Sequence, residues 1–296
     1  MKVLVTGAGG QLGYDVMLEL QKRGIECVGS DRSGSDDKPY RMVGFDITKK
    51  AEVERVLTEE KPDAVIHCAA WTNVDAAEDS ENQAIVRAIN ADGTRNIAEI
   101  CHQIDAKIIY ISTDYVFDGQ GTEPWDPDSK NYAPINFYGQ TKLEGEQAVV
   151  DNLEKYFIVR ISWVFGQNGK NFIQTMLNLS KTHDELRVVN DQIGSPTYTV
   201  DLARLLVDMV QTDKYGYYHA TNSGDFISWA DFAKEIFKQA GIETRVTPVT
   251  TAEYGLSKAK RPFNSRLSKT KLTEAGFAEL PTWQDALTRY LSQIKD

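Results

Sequence analysis

Short apolar runs, rich in β-branched residues, punctuate the first half of the chain: KVLVTG from Lys2, IECVGSD from Ile25, DAVIHCAA from Asp63, AKIIYIST from Ala106 and YFIVRISWVFG from Tyr156. Runs of this length read as strands buried on both faces. Between them, apolar positions recur at helical spacing over about 10–22, 49–60, 82–103 and 136–153. Strands alternating with such helices predict βαβ units, and hence an α/β fold with a doubly wound parallel sheet. After Phe165 the pattern loosens into short strands near 186–190 and 216–220 and helices near 170–182, 199–211, 228–240 and 282–293. This predicts a principal domain over residues 1–166, with 192–226 returning to it, and a smaller mixed C-terminal lobe drawn mainly from 167–296. Turn-forming residues gather at 32–44 and 118–134, which read as loops.

Ligands of open α/β sheets bind beyond the carboxyl ends of the strands, so the residues ending each strand carry the interest. The first strand ends in TGAGGQLG, with Gly7, Gly10 and Gly13 spaced G-x-x-G-x-x-G. Leu12 stands where the stricter G-x-G-x-x-G pattern has its last glycine. Gly7 permits a tight turn, Gly10 lets the backbone approach a pyrophosphate and Gly13 allows close helix packing, while the helix N-terminus favours an anion. A glycine turn without a ligand is the competing reading, disfavoured by the strand before it and the helix after it. The pattern therefore predicts a Rossmann NAD(P)-binding domain. Asp31 ends the second strand, 18 residues after Gly13, where a carboxylate accepts hydrogen bonds from an adenosine ribose and favours NADH. Arg32 beside it suits a 2′-phosphate and leaves NADPH open. Asp46 and Ile47 follow another short apolar segment and fit the adenine rim, and Ala69 and Ala70 are small enough for a dinucleotide to lie against their backbone.

The strand from Ala106 ends with Ser112, Thr113 and Asp114, and the following helix carries NFYGQTKLEGEQ, with Tyr138 and Lys142 four residues apart. On a helix these two emerge on one face, about 5–6 Å apart at Cβ. Ordinary packing produces the same spacing, so the pair gains meaning from the hydroxyl-bearing strand end beside it. A hydride arriving at a carbonyl carbon leaves charge on the oxygen, which needs a hydrogen-bond donor and then a proton. Thr113 is the expected donor and Tyr138 the expected acid. A free phenol titrates near 10. A cation about 4 Å away, at an effective dielectric of roughly 20, is worth about 4 kcal/mol or roughly 3 pKa units, so Lys142 is expected to lower the phenol. The same amine is expected to hold the nicotinamide ribose.

Composition narrows the class. With 296 residues and 41% hydrophobic content the chain suits one large α/β domain with a smaller partner. A net charge of −10 with scattered basic residues argues against a nucleic-acid surface. No apolar run approaches the roughly 20 residues of a membrane span, and MKVLVTGAGG is too glycine-rich for a signal peptide, so the cytoplasm is the expected location and no membrane the expected partner. Cys27, Cys68 and Cys101 read as reduced and structural, and His67, His102, His183 and His219 show no metal-ligand spacing.

The segments TGAGGQLG, CAAWTNVDAAE, STDYVFDG, YGQTKLEGE, RISWVFG, NDQIGSPTYTVDLA and RPFNSRLS occur in one order along nearly the whole chain. In this the sequence resembles the extended short-chain dehydrogenases/reductases and, within them, is similar to the dTDP-4-dehydrorhamnose reductase family. The resemblance implies NAD(P)H-dependent reduction of the 4-keto group of dTDP-4-dehydro-β-L-rhamnose to dTDP-L-rhamnose, in nucleotide-sugar and cell-surface polysaccharide biosynthesis. It implies Tyr138 as proton donor, Lys142 as its partner and Thr113 as oxyanion donor. It also implies substrate contacts at Thr113, Asp114 and Trp163, and cofactor contacts at Gln11, Leu12, Asp31, Asp46, Ile47 and Ala69, Ala70 and Trp71. Some relatives bind Mg2+ between subunits, which leaves a homodimer open, but no ligand cluster is legible here. The loop EPWDPDSKNYAP matches the family loosely, with Asp126 or Asp128 as substitutes for its acidic residue. Trp163 also reads as a core aromatic at a strand end, and NDQIGSPT as a tight turn. Arg261 is a candidate for the substrate diphosphate, with a solvated basic run as the other reading. Two rival functions stay open: a non-catalytic dinucleotide-binding subunit like the regulatory β subunit of methionine adenosyltransferase, and a nucleotide-sugar epimerase or dehydratase that keeps its NAD.

Overall fold

The computed structural model describes residues 1–34 and 38–294. Seven strands form one parallel sheet: β1 (Lys2–Thr6), β2 (Glu26–Asp31), β3 (Met42–Gly44), β4 (Ala64–His67), β5 (Lys107–Thr113), β6 (Tyr156–Ile161) and β7 (Gly216–His219). Their order is β7-β6-β5-β4-β1-β2-β3. The direction of winding reverses between β1 and β4, which opens a crevice at the carboxyl ends of those two strands, the place where such sheets bind ligands.

Alternate residues of each strand feed two separate cores. Val3, Val5, Ile66, Ile109, Ile111, Phe157 and Val159 pack under helix α1 (Gln11–Lys22) and the later helix Thr199–Val210. Leu4, Val65, Ile108, Tyr110 and Ile158 pack under α2 (Lys50–Glu60), the helix Thr94–Gln103 and the helix Phe137–Asn152. Both faces are dry, which is why the strands lack polar alternation. The helix between β4 and β5 is continuous but changes pitch: α3 (Ser80–Arg87) passes through a π segment at Ala88–Gly93 into α4 (Thr94–Gln103). The next helix, α5 (Phe137–Asn152), is capped by Asn136, whose Oδ1 accepts from the Gly139 amide at 2.7 Å.

Three features differ from the sequence expectation. Strand β3 occupies the end of the segment read as a loop over 32–44; it is a three-residue, half-exposed edge strand with too few apolar positions to signal itself. The run YFIVRISWVFG is not one strand. β6 stops at Ile161, Trp163 turns the chain with φ of 50°, and Val164–Phe165 then pairs with Thr197–Tyr198. A parallel pair also joins Glu185–Val189 to Arg245–Val249, a strand hidden in sequence by Pro248 and its exposed positions. The C-terminal segments build a third core from Phe165, Ile173, Tyr198, Phe232, Ile236, Trp283 and Tyr290, while Leu272, Phe277 and Leu280 join the first core beneath β7.

Candidate active site

The turn after β1 is shaped for an anion. Gly7 adopts φ of 65°, and a Cβ there would stand 2.7 Å from the Ala69 amide nitrogen, so only glycine lets β1 and β4 end side by side. Gly10 is the N-cap of α1 and no side chain caps that helix, which leaves its first backbone N–H groups available to a phosphate. A side chain at Gly13 would collide with the Gly7 carbonyl. Asp31 ends β2 with Oδ2 over Gly9, where a Cβ would come within 2.9 Å, while Oδ1 accepts from the Arg32 amide. This cradle of glycines with a carboxylate at its lip fits the pyrophosphate and adenosine ribose of a dinucleotide. Ala69 and Ala70 follow β4 against it, and Ala69 donates its amide to Thr6 Oγ1 at 3.2 Å.

Other expected cofactor residues are engaged by the protein itself. The Asp46 carboxylate accepts from Thr48 N and Oγ1 and is held below the usual carboxylate range: burial pushes it up, but these bonds and Lys49 and Arg32 outweigh it. Ile47 is buried against Gly93, and Leu12 lies in the first core. Trp71 is held by Asn90, which sequence reasoning missed. Its Oδ1 accepts from Trp71 N at 2.8 Å, and its amide nitrogen donates to Trp71 O and to Thr141 Oγ1 of α5. Asn90 sits in the π segment, where the altered pitch turns it inward. Asn168 was also missed: it donates to the Gly9 and Gly10 carbonyls at 2.7 and 3.2 Å, clasping the glycine turn from the segment that follows Phe165. Both asparagines lie in segments whose composition signals only a helix or a turn.

Thr113, Asp114, Tyr138 and Arg261 converge at the ends of β5 and α5. Thr113 Oγ1 donates to Asp114 Oδ1 at 3.0 Å and accepts from the Tyr115 amide. The Tyr115 ring meets the Tyr138 ring edge-on at 5.8 Å between centroids. Burial pushes the Tyr138 phenol well above its ordinary value, with Asp114 and Tyr115 adding to the rise and the Thr113 hydroxyl opposing it. Burial likewise lifts the Asp114 carboxyl to about 6, and its Oδ2 is buried without a hydrogen-bond partner. The lysine departs from expectation. Lys142 Nζ donates to the Ile111 carbonyl at 2.7 Å and lies 4.1 Å from the centre of the Tyr110 ring, so its hydrogen bond goes to the strand and not to the phenol. Burial brings Lys142 itself down to about 7.

Arg261 is already paired: Nη2 donates to Asp75 Oδ2 at 2.6 Å and Nη1 to the Tyr115 hydroxyl at 3.3 Å. Its expected diphosphate would have to share that guanidinium with Asp75. Trp163 is stacked on Trp229 with 3.7 Å between ring centroids, and a Cβ at Gly194 would come within 3.0 Å of its ring. A tryptophan at positive φ stores about 1–3 kcal/mol of strain that its surroundings must hold. Among the described residues, no three His, Cys, Asp or Glu side chains form a group that could hold a metal ion, and no helix is long and apolar enough to cross a membrane.

Comparison with known proteins gives the same answer along the full length. The family profile of the RmlD substrate binding domain matches residues 1–295. The chain is 40% identical to the spore coat polysaccharide biosynthesis protein SpsK of Bacillus subtilis, over 99% of this chain and 97% of that one. It is 38% identical to the dTDP-4-dehydrorhamnose reductase of Aggregatibacter actinomycetemcomitans, over 97% of each. The crystal structure of dTDP-4-dehydrorhamnose reductase from Bacillus anthracis in complex with NADP superposes with a TM-score of 0.90 at 41% identity, covering 99% of both chains. With the glycine cradle and the Thr113–Tyr138 cluster set on a scaffold shared from end to end, the chain belongs to the RmlD substrate binding domain family, alongside the dTDP-4-dehydrorhamnose reductases.

Proposed function

We propose that this chain reduces the 4-keto group of dTDP-4-dehydro-β-L-rhamnose to give dTDP-L-rhamnose, with NADH or NADPH as reductant. The observation that carries this reading is the convergence of Thr113, Asp114 and Tyr138 beside the dinucleotide cradle, with Trp163 held in a strained turn where the next strand ends. Bound NAD(P)H supplies the hydride to the carbonyl carbon. Tyr138 donates its phenolic proton to the oxygen. Its raised pKa keeps that proton in place at neutral pH, and an alkoxide is basic enough to take it. Thr113 stabilises the charge growing on the same oxygen. Asp114 is the expected acceptor of a sugar hydroxyl, a role supported by the spare hydrogen-bonding capacity of Oδ2. Lys142 holds the cofactor ribose and the edge of β5, and Asp31 the adenosine ribose. Remote binding of the nucleotide positions the 4-keto carbon, which a small ketone could not achieve.

The test is turnover of enzymatically generated dTDP-4-dehydrorhamnose, followed by loss of NAD(P)H absorbance and by product identification. One reduced cofactor consumed per dTDP-L-rhamnose formed supports the reading. No cofactor oxidation would leave the regulatory-subunit reading, product without net oxidation would leave the epimerase reading, and equal kcat/KM for the free 4-keto-6-deoxysugar would remove the nucleotide from recognition.

A further inference from the structure

Glu146 lies one helical turn beyond Lys142 on the buried side of α5 and is 1% exposed. Ser112 donates its hydroxyl to Oε1 at 2.5 Å. Arg160 of β6, wholly buried, donates Nε to Oε1 at 2.8 Å and Nη2 to Oε2 at 2.7 Å. The guanidinium lies 4.8–5.3 Å from the ring centres of Phe117, Tyr132 and Tyr217 and also donates to the Pro127 carbonyl and the Tyr132 hydroxyl. For stability alone, apolar residues of similar volume would serve as well as a buried ion pair or better. Its position suggests another use. Ile111 and Ser112 are consecutive on β5; the first takes the Lys142 amine on its carbonyl and the second is tied to Glu146, so two residues of one helix face grip the strand that presents Thr113.

We propose that Glu146 is a positioning residue for the reduction, a buried carboxylate held by Arg160 that, through Ser112, fixes helix α5 on β5 where the strand takes the Lys142 amine and presents Thr113. This rests on the reading of Lys142 as part of the reacting set. The titratable groups facing the amine are few. Its own helix presents Tyr138 and Glu146, β5 presents Tyr110, and the end of β4 presents His67 and Cys68. Helix α4 adds the uncharged Thr94, bonded to His67, and Arg160 meets the group only through Glu146. Burial, with the Lys142 charge, holds His67 down at about 3, and burial pushes Cys68 up to about 12, so both stay neutral where the enzyme works. Burial also drives Lys142 toward the neutral amine, and Glu146 is the first force opposing that. Without the carboxylate, the amine sheds its proton at lower pH.

The experiment compares kcat/KM against pH for the wild type, Glu146→Gln, Glu146→Asp and the paired replacement Glu146→Leu/Arg160→Met, with NAD(P)H affinity at about pH 6 and thermal unfolding measured alongside. The paired replacement avoids a stranded buried arginine if Glu146→Gln fails to fold. The alkaline limb should move to lower pH by about one unit in Glu146→Gln, a roughly tenfold fall at a fixed alkaline pH; the paired replacement removes opposite charges together, so its limb should move less while its kcat falls with the lost tie to Ser112. Glu146→Asp, which keeps the charge, should bring the limb back toward the wild type. A folded Glu146→Gln with the limb unmoved, or a folded paired variant with wild-type kcat, in an enzyme that Lys142→Met inactivates, overturns the proposal. A wild-type profile in Lys142→Met overturns the reading of Lys142 instead.

Discussion

Tyr138 and Lys142 stand on one helix face, yet burial drives them in opposite directions: the phenol is raised and the amine lowered, because a dry site disfavours the charged form of each. Tyr138→Phe deletes only the transferable proton. It should reduce kcat by about 10²–10⁴ while NAD(P)H binding, read by fluorescence titration, stays near the wild type. Lys142 also carries a cost in stability. Its folded pKa, about 7, lies below that of the unfolded chain. Between that value and about 10 the unfolded state holds a proton the folded state releases, so the penalty is full below pH 7 and fades as pH rises. Lys142→Met should therefore gain on the order of 2–4 kcal/mol near pH 6. Urea unfolding at about pH 6 and again near pH 10 checks this, the gain shrinking at the higher pH; equal gains at both would contradict the depressed lysine.

Helix α5 shows why an element can be clear in sequence while its face is not. Its buried side carries Thr141, Lys142 and Glu146 among small residues, so the usual apolar stripe is missing although the helix itself is plain. What lets it dock is the absence of side chains. A Cβ at Gly139 would strike the Tyr115 carbonyl, and one at Gly145 would strike the Tyr110 hydroxyl and the Asn90 carbonyl. Gly145→Ala should push α5 off β5 and cost about 1–3 kcal/mol by overpacking. Its urea midpoint should fall, and kcat with it, because Tyr138 and Lys142 ride on the displaced helix. A fall in stability with kcat intact would mean that the register of α5 on β5 does not govern the chemistry. The π segment that turns Asn90 inward left no trace in the hydrophobic pattern, because a single extra residue in a turn changes the face and not the composition.

Across the molecule, the glycine cradle is completed by Asn168, a residue far from it in sequence. The Gly9 and Gly10 carbonyls accept from Asn168, and Gly10 O also from the Tyr14 amide, which holds the turn at the N-terminus of α1, where a phosphate would meet the first helical N–H groups. Asn168→Ala should weaken NAD(P)H binding several-fold by fluorescence titration while kcat at saturating cofactor is kept; unchanged affinity would make the clasp purely architectural.

Several things could be read directly from the sequence: the parallel sheet, the order of helices around it, the glycine turn and the Tyr138–Lys142 spacing. They depend on periodicity and on residues a few positions apart, where chain connectivity already brings groups together. The partners did not depend on it. That Arg261 is claimed by Asp75, that Lys142 turns to Ile111 rather than to the phenol, that Glu146 is clamped by Arg160, and that Trp163 breaks a strand to stack on Trp229 were decided by tertiary structure. Each joins side chains on different elements, and which donor a buried charge finds depends on packing that only the assembled cores impose.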